Sequence, residues 1–209
     1  MTVLLEPSDV LPLVDVEIAF PVGSLQDPLG REGLAQLAGH LVRYGPRGMS
    51  RVRFEDRLAS LGARLSVEVS IRSTRIRATV LRRNLEPLLD LMSRVAWQPA
   101  LRPREFGKLK RRAQAALLAR LDDDQTLGAL RFRSALFGDH PYGRPLSGSR
   151  KSISRIGLDQ VRAFYDHHLA RAHFVVGIAG DVTDDGARAL IGSLFPVSQR
   201  WPKRGPGLP

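Results

Sequence analysis

The 209-residue sequence contains no cysteine, which excludes a disulfide framework, a thiol nucleophile and a cysteine-ligated zinc site. It also lacks any apolar run that approaches the roughly 18 residues of a membrane span. Its N-terminus does not show the charged and then apolar layout of a signal peptide. We therefore expect a soluble chain. Its compartment stays open, because the absence of disulfides does not choose between cytoplasm and periplasm.

Aromatic residues are scarce, at 6% of the chain, and only four of the 32 basic residues are lysine. The formal charge of +11 raises the question of nucleic acid, because clustered cations neutralise phosphates. However, the arginines are scattered along the chain, and no binding motif interleaves them with aromatic residues. We favour a general surface charge and keep a basic nucleic-acid-binding module as the less favoured alternative.

The sequence does contain 43% hydrophobic residues, enough to bury a core, and they recur with two periodicities. Alternation of apolar and polar residues predicts strands over 14–20, 64–72 and 76–80, with further strands at 2–6 and 174–179. Helical spacing predicts helices over 33–43, 50–62, 85–95, 104–120, 125–137, 161–168 and 187–194. Ser50 and Asn84 are the predicted N-caps of two of these helices, and Gly62 is a predicted C-terminal stop.

The order of these elements predicts the fold class. Strands come mostly in adjacent pairs and helices in blocks, which favours an α+β fold: a two-layer arrangement of an antiparallel sheet with helices packed on one face. The second predicted strand pair carries Arg72, Arg75 and Arg77 on its solvent face. We expect residues 1–197 to form one domain, followed by a Pro- and Gly-rich linker or tail at 198–209.

Several segments, taken together and in order, resemble the pitrilysin/insulinase family of zinc peptidases, the inverzincins. The segments that carry the resemblance are Gly23-Ser24, Asp27-Pro28, Gly33-Leu34-Ala35, Leu61-Gly62-Ala63, Gln98-Pro99, Glu105-Phe106, Lys110, His140-Pro141-Tyr142-Gly143-Arg144, Phe164-Tyr165 and Gly180-Asp181-Val182. The resemblance implies that residues 1–197 are one peptidase-like half-domain. In that family a second, similar half follows, and the two close over peptide substrates like a clamshell.

In active members of the family a helix carries H-x-x-E-H, whose histidines bind zinc and whose glutamate activates water. The aligned residues here are Gln36, Gly39 and His40. The third ligand is a glutamate roughly 75 residues further on, which by counting falls within 114–116, where no carboxylate occurs. The resemblance therefore implies a degenerate metal site at Gln36, Gly39, His40 and Ala116.

Such a site is not expected to bind zinc or to catalyse hydrolysis. A neutral amide such as Gln36 is a poor zinc ligand, and a lone histidine cannot supply the three or four ligands that zinc needs. Gly39 has no side chain with which to activate water. A glycine at position 39 either permits close packing by a neighbouring element or has no structural role.

The remaining histidines are interpreted as structural. His140 lies in a Gly- and Pro-rich loop, in which Tyr142 is the predicted anchor. His167, His168 and His173 are close in sequence, but we expect them to point in different directions and to act as surface or capping residues rather than as a metal cluster.

The leading hypothesis is a non-catalytic domain that pairs with a second peptidase-like half, in the same chain or in a partner subunit, and helps to enclose unfolded peptide. Zinc belongs to active relatives, and no cofactor is expected here. Arg72, Arg75 and Arg77 are candidate peptide-binding residues, although a solvated outer face is the favoured interpretation. The alternative is an accessory subunit or half of an active zinc metallopeptidase whose metal site lies on a partner.

Overall fold

Alternating and helical patterns in the sequence correspond to strands and helices in the structure, a computed structural model that describes residues 1–120 and 123–195. The strands are β1 (Thr2–Pro7), β2 (Leu13–Phe20), β3 (Arg64–Val69), β4 (Thr74–Leu81) and β5 (Val175–Gly180). The α-helices are α1 (Leu34–Val42), α2 (Arg51–Ser60), α3 (Leu85–Trp97), α4 (Pro103–Ala119), α5 (Asp124–Phe137), α6 (Arg150–Arg155), α7 (Leu158–Phe164) and α8 (Asp184–Leu194). The linker predicted at 198–209 lies outside the described residues.

The five strands form one sheet in the order β1-β5-β2-β4-β3. The prediction of an antiparallel sheet holds for three of its pairings, but β1 and β5 are parallel, so the sheet is mixed. The last strand inserts between the first two and runs antiparallel to β2, which makes it parallel to β1. Adjacency in sequence cannot reveal this pairing, because about 170 residues separate the partners.

One face of the sheet is covered by helices and the other is open. Val14, Val16 and Ile18 of β2 are buried, because α1 packs against β3 and α3 against β4 on that side. The alternate residues carry charge, including Asp15 and Glu17, and they line an open groove of about 720 Å³. This arrangement confirms the predicted α+β fold with helices on one face.

Three local predictions have different outcomes. Ser50 caps α2 as expected, since its hydroxyl accepts from the Arg53 amide at 3.2 Å. Gly62 has a φ of 65° and ends the turn after α2, also as expected. Asn84 is the N-cap residue of α3 as expected, but its side chain makes no cap bond to the helix and instead donates to the Leu61 carbonyl at 3.0 Å.

One strand boundary was also wrong, and one helix was not predicted. β3 ends at Val69 rather than 72, because the Ser70 hydroxyl accepts from the Ser73 amide and closes a tight turn. The helix α6 was not predicted, since it has six residues and only Ser152 and Ile153 are buried, too few to show a period. No helix in residues 1–120 and 123–195 is long and apolar enough to cross a membrane.

Candidate functional site

The segment before α1 fixes where that helix begins. The buried Asp27 carboxylate accepts from the amides of Gly33 at 2.8 Å and Ala35 at 2.7 Å, which satisfies two of the helix's unpaired N–H groups. Gly33, the N-cap residue, has a φ of 93°. A Cβ there would lie 2.7 Å from Ile153 Cδ1 and 2.9 Å from the Ser147 carbonyl oxygen. The fold therefore requires glycine at this position.

Helix α1 is held between the sheet and α4. Seven of its nine residues are buried, and the two that are only partly buried are Gln36 and His40. Because these residues are four apart, they share one face of the helix. That face points toward α4, where the two side chains line a pocket of about 230 Å³.

The pocket brings three of the four predicted site positions together. Ala116 of α4 lines it together with Gln36 and His40, and Ser147 and Ile153 also belong to its lining. Neither Gln36 nor His40 makes a side-chain hydrogen bond within the described residues. Burial lowers the pKa of His40 below its ordinary value, which favours the neutral imidazole.

The fourth position, Gly39, lies on another side of the helix. A Cβ at Gly39 would stand 2.5 Å from Val69 Cγ2 and 3.3 Å from Thr74 Cγ2, so the sheet contacts the bare helix backbone there. Valine has a stiff χ1 and cannot easily turn away. Of the two interpretations of this glycine, the structure favours close packing by a neighbouring element.

The side chains present do not fit a zinc ion. Among Gln36, His40 and Ala116, only His40 offers a donor that zinc prefers. Within the described residues there is no group of three or more His, Cys, Asp or Glu side chains that could hold a metal ion. Space for the water-activating glutamate is also missing, because Val69 occupies the region beside Gly39.

The other histidines have local partners. His140 Nδ1 accepts from the Tyr142 amide at 3.2 Å, and the two rings meet edge to face. His167 Nδ1 lies 2.7 Å from the Ala163 carbonyl oxygen, and His168 packs beside the Phe164 ring. These contacts account for the three residues through ordinary local structure.

The candidate peptide-binding arginines lie on or beside the open sheet face. Arg75 and Arg77 both approach Glu17 of β2, and Arg77 also lies 3.5 Å from Glu68. Arg72 is in the exposed turn between β3 and β4 and has no ion pair within the described residues. The three cations are therefore not equivalent, since two share their charge with carboxylates.

Two cations at the pocket were not among the predicted site residues. Arg112 and Arg120 of the α4 region line the same cavity as Gln36 and His40. They lie four residues before and after Ala116, so a helical face drawn through the predicted third-ligand position would have included both. Arg120 Nη1 donates to Ser147 Oγ at 2.9 Å.

The family model of the insulinase family, peptidase family M16, matches residues 2–150. The crystal structure of a peptidase M16 inactive domain from Pseudomonas fluorescens superimposes with a TM-score of 0.85 at 25% identity, over 96% of this chain and 50% of that one. The strand order and helix placement described above are therefore shared with a solved relative.

Two curated relatives differ in how they are described. An uncharacterized zinc protease of Mycobacterium bovis is 29% identical over 174 residues, which are 83% of this chain and 40% of that protein. A non-peptidase homolog of Helicobacter pylori is 24% identical over 183 residues, which are 88% of this chain and 42% of that protein. The chain thus spans less than half the length of the curated relatives it matches.

Proposed function

The chain belongs to the insulinase family, peptidase family M16, and we propose that it is a non-catalytic half-domain of that family. In this proposal it pairs with a second peptidase-like half and helps to enclose unfolded peptide. This proposed role requires neither the zinc nor the general base of active relatives.

One observation carries the proposal: of the four positions that correspond to the metal site of active relatives, only His40 has a side chain that zinc prefers. Gln36, His40 and Ala116 line a cavity that has one zinc-type donor. The adjacent position for a general base, Gly39, is filled by the Val69 side chain. Loss of a general base alone removes about two to four powers of ten in rate, and loss of the ligands removes the metal that would polarise the peptide bond.

Two features support pairing with a second half. The open sheet face leaves the charged and apolar residues of β1, β2 and β5 uncovered in a groove of about 720 Å³. On α5 no residue is buried, and Phe132 and Leu136 are 69% and 62% exposed. Phe132 and Leu136 are four residues apart and share one face of α5, and contiguous exposed apolar surface is typical of protein–protein contacts. The solved relative from Pseudomonas fluorescens is twice as long as the matched region.

The catalytic part of the proposal is tested by metal content and hydrolysis. The purified chain is dialysed with one equivalent of Zn²⁺, its zinc is measured by mass spectrometry, and it is incubated with a quenched-fluorescent peptide library beside an active M16 peptidase. We expect substoichiometric zinc and cleavage no faster than in chelator. Stoichiometric zinc together with chelator-sensitive cleavage would end the proposal.

Pairing is tested separately, by co-expression with a second M16 half-domain encoded in the same or an adjacent reading frame. We expect the two halves to co-elute on gel filtration. Phe132→Ser with Leu136→Ser should weaken the complex if α5 contributes to the contact, whereas Val52→Ser, an exposed apolar residue of α2, is the matched control. Independent elution of the two halves would contradict pairing.

A second candidate function is that of an accessory half in an active zinc metallopeptidase whose metal site lies on the partner. The observation that favours it is the likeness to a protein described as a zinc protease, of which this chain covers 40%. The two candidates differ in one measurement: peptide cleavage should appear only when this chain is mixed with a half that retains H-x-x-E-H. A mixture without activity supports the fully non-catalytic proposal.

Arg72, Arg75 and Arg77 are proposed to contribute affinity for acidic or extended peptide. Arg72 is the strongest of the three candidates, because Arg75 and Arg77 already contact Glu17. Arg72→Gln should weaken binding of an acidic peptide in low salt, while Arg53→Gln, an exposed arginine of α2, should not. Equal effects of the two substitutions would reduce the proposal to general surface charge.

A further inference from the structure

The pocket beside α1 has the wrong charge for a cation. Among the residues that the structure describes, its polar lining consists of Gln36, His40, Arg112, Arg120 and Ser147 and contains no aspartate or glutamate. A metal site places carboxylates and lone pairs around a positive ion. Here the charged side chains are both guanidinium groups, so the electrostatic preference of the cavity is for an anion.

The two arginines are not neutralised by carboxylates in the part of the chain that the structure describes. Arg112 makes no ion pair there, and Arg120 Nη1 contacts the neutral Ser147 hydroxyl. A guanidinium group is planar and presents paired N–H donors that match a carboxylate, and such charge-assisted pairs are stronger than neutral hydrogen bonds. The two guanidinium charges, which lack a counter-ion among the described residues, and the open cavity therefore favour binding of a carboxylate group.

Neutral donors in the same cavity add to this complementarity. The Gln36 amide and the His40 imidazole have no hydrogen-bond partner within the described residues. An amide N–H donates to a carboxylate, and a neutral imidazole donates through one of its two nitrogens. A bound carboxylate would satisfy groups that otherwise rely on water.

The volume of the cavity and the apolar residues that line it limit the class of ligand that it can bind. A cavity of about 230 Å³ corresponds to roughly eight water molecules and is smaller than a typical drug-sized site. The remaining wall is apolar and is formed by Leu37, Leu109, Ala113, Leu117 and Ile153. This combination suits a single residue that joins a carboxylate to a small apolar group.

We propose that this pocket binds a carboxylate group of a peptide, with Arg112 and Arg120 as its counter-ions. The peptide origin of that carboxylate rests on the proposed function, whereas the anion preference rests on the cavity alone. The chemistry is shared by a free C-terminus and by an acidic side chain, and the experiment separates these two sources.

The test measures the binding of three synthetic pentapeptides to the whole chain. Calorimetry gives the affinity, and NMR detects the effect on the His40 imidazole. One peptide ends in leucine with a free carboxylate, the second is the same peptide with a C-terminal amide, and the third is amidated but contains an internal glutamate. We expect the free acid to bind at least about tenfold more tightly than its amide. If the third peptide binds as well as the first, the site is still a carboxylate site and accepts the group from either a C-terminus or a side chain.

Matched variants locate the binding. Arg112→Gln and Arg120→Gln should each weaken the free acid by about tenfold and should abolish its shift of the His40 signal. Arg111→Gln is the control, because it removes the same charge from the neighbouring residue, which does not line the pocket. Thermal unfolding of all three variants establishes that they remain folded.

Two results would overturn the proposal: equal affinity for acid and amide, or equal loss in the Arg111 and Arg112 variants. Neither depends on zinc or on a second half. The chain can therefore be shown to lack hydrolytic activity and still fail this test, or to pass this test and still show zinc-dependent cleavage.

Discussion

The two sides of α1 differ in how much room they leave. On the side that faces the sheet, Gly39 has no space even for a methyl group, because Val69 Cγ2 would lie 2.5 Å from its Cβ. On the side that faces α4, Gln36 and His40 border a pocket of about 230 Å³. The metal-ligand side of the motif is therefore an empty space that other side chains can fill. The general-base side is occupied by core packing.

The largest effect that this comparison predicts is at Gly39. We expect Gly39→Glu to lower the free energy of unfolding by at least about 4 kcal/mol, since overpacking is added to burial of a carboxylate without a partner. Gly128→Glu is the control, because Gly128 lies within α5 with open space around it. Urea denaturation measures both variants, and similar small losses would mean that the sheet side is not closed.

The second effect is a pH dependence at the start of α1. Burial raises the pKa of Asp27 from 3.8 to about 6, although hydrogen bonds from the Ala35 and Gly33 amides oppose this change. A raised carboxyl pKa favours the folded state when the group is protonated. The resulting stability is complete below pH 3.8 and is lost as the pH rises through 6, and it amounts to about 3 kcal/mol.

Asp27→Asn isolates this effect, because asparagine does not titrate. We expect the difference in free energy of unfolding between the native chain and the variant to fall by up to about 3 kcal/mol between pH 4 and pH 7. Urea denaturation at the two pH values gives the difference. A difference that instead grows with pH would show that the two helix amides stabilise the ionised carboxylate more than burial destabilises it.

The third effect also concerns Gly39, on the side of α1 that faces the sheet. Alanine within a helix normally stabilises a protein by up to about 1 kcal/mol relative to glycine. At Gly39 we expect the opposite sign, a loss of about 1–3 kcal/mol from overpacking. The double variant Gly39→Ala/Val69→Ala should show a favourable coupling, because the smaller residue 69 removes the clash.

The control for that sign is Gly128→Ala. With nothing within 4 Å of its Cβ, it should stabilise α5 by up to about 1 kcal/mol. A stabilising Gly39→Ala would mean that the sheet moves away from α1 at little cost, and the two sides of the helix would then be alike.

The fold likewise has features that could be predicted from the sequence and features that could not. Local periodicity predicted α1, β2 and β4 well, because each has one buried face whose spacing is visible in the residues themselves. The parallel pairing of β1 with β5 could not be predicted, since it depends on a contact between the two ends of the domain. The helix α6 was missed because it is too short to show a period.

The candidate site shows the same division. Helical spacing placed Gln36 and His40 on one face, and counting from the family motif led to Ala116 on the facing helix; all three line the same pocket. The contact of Val69 with Gly39 depends on how closely a strand approaches a helix, which no spacing rule gives. The charge of the pocket was not predicted, because the scattered arginines of the sequence indicate only a general surface charge. The four-residue spacing of Arg112 and Arg120 from Ala116 is the pattern that places them at the pocket.

The smallest effect on stability is expected on the open side of α1, where a metal site can be rebuilt. In Gln36→His/Ala116→Glu, the new side chains join His40 in the pocket and supply three zinc ligands, with one coordination position left for water. Because Gln36 is only partly buried and Ala116 is exposed, the free energy of unfolding without metal should change by less than about 1 kcal/mol.

We expect this variant to bind one Zn²⁺ per chain, measured by mass spectrometry and by a zinc-dependent rise in melting temperature, and to cleave no peptide. The control Gln36→His/Ala115→Glu moves the carboxylate by one residue on α4, to a position that does not line the pocket, and should bind zinc far more weakly. Cleavage by the first variant would show that water can be activated without a base at Gly39. Equal zinc binding by both variants would mean that Ala116 is not the third position of the site.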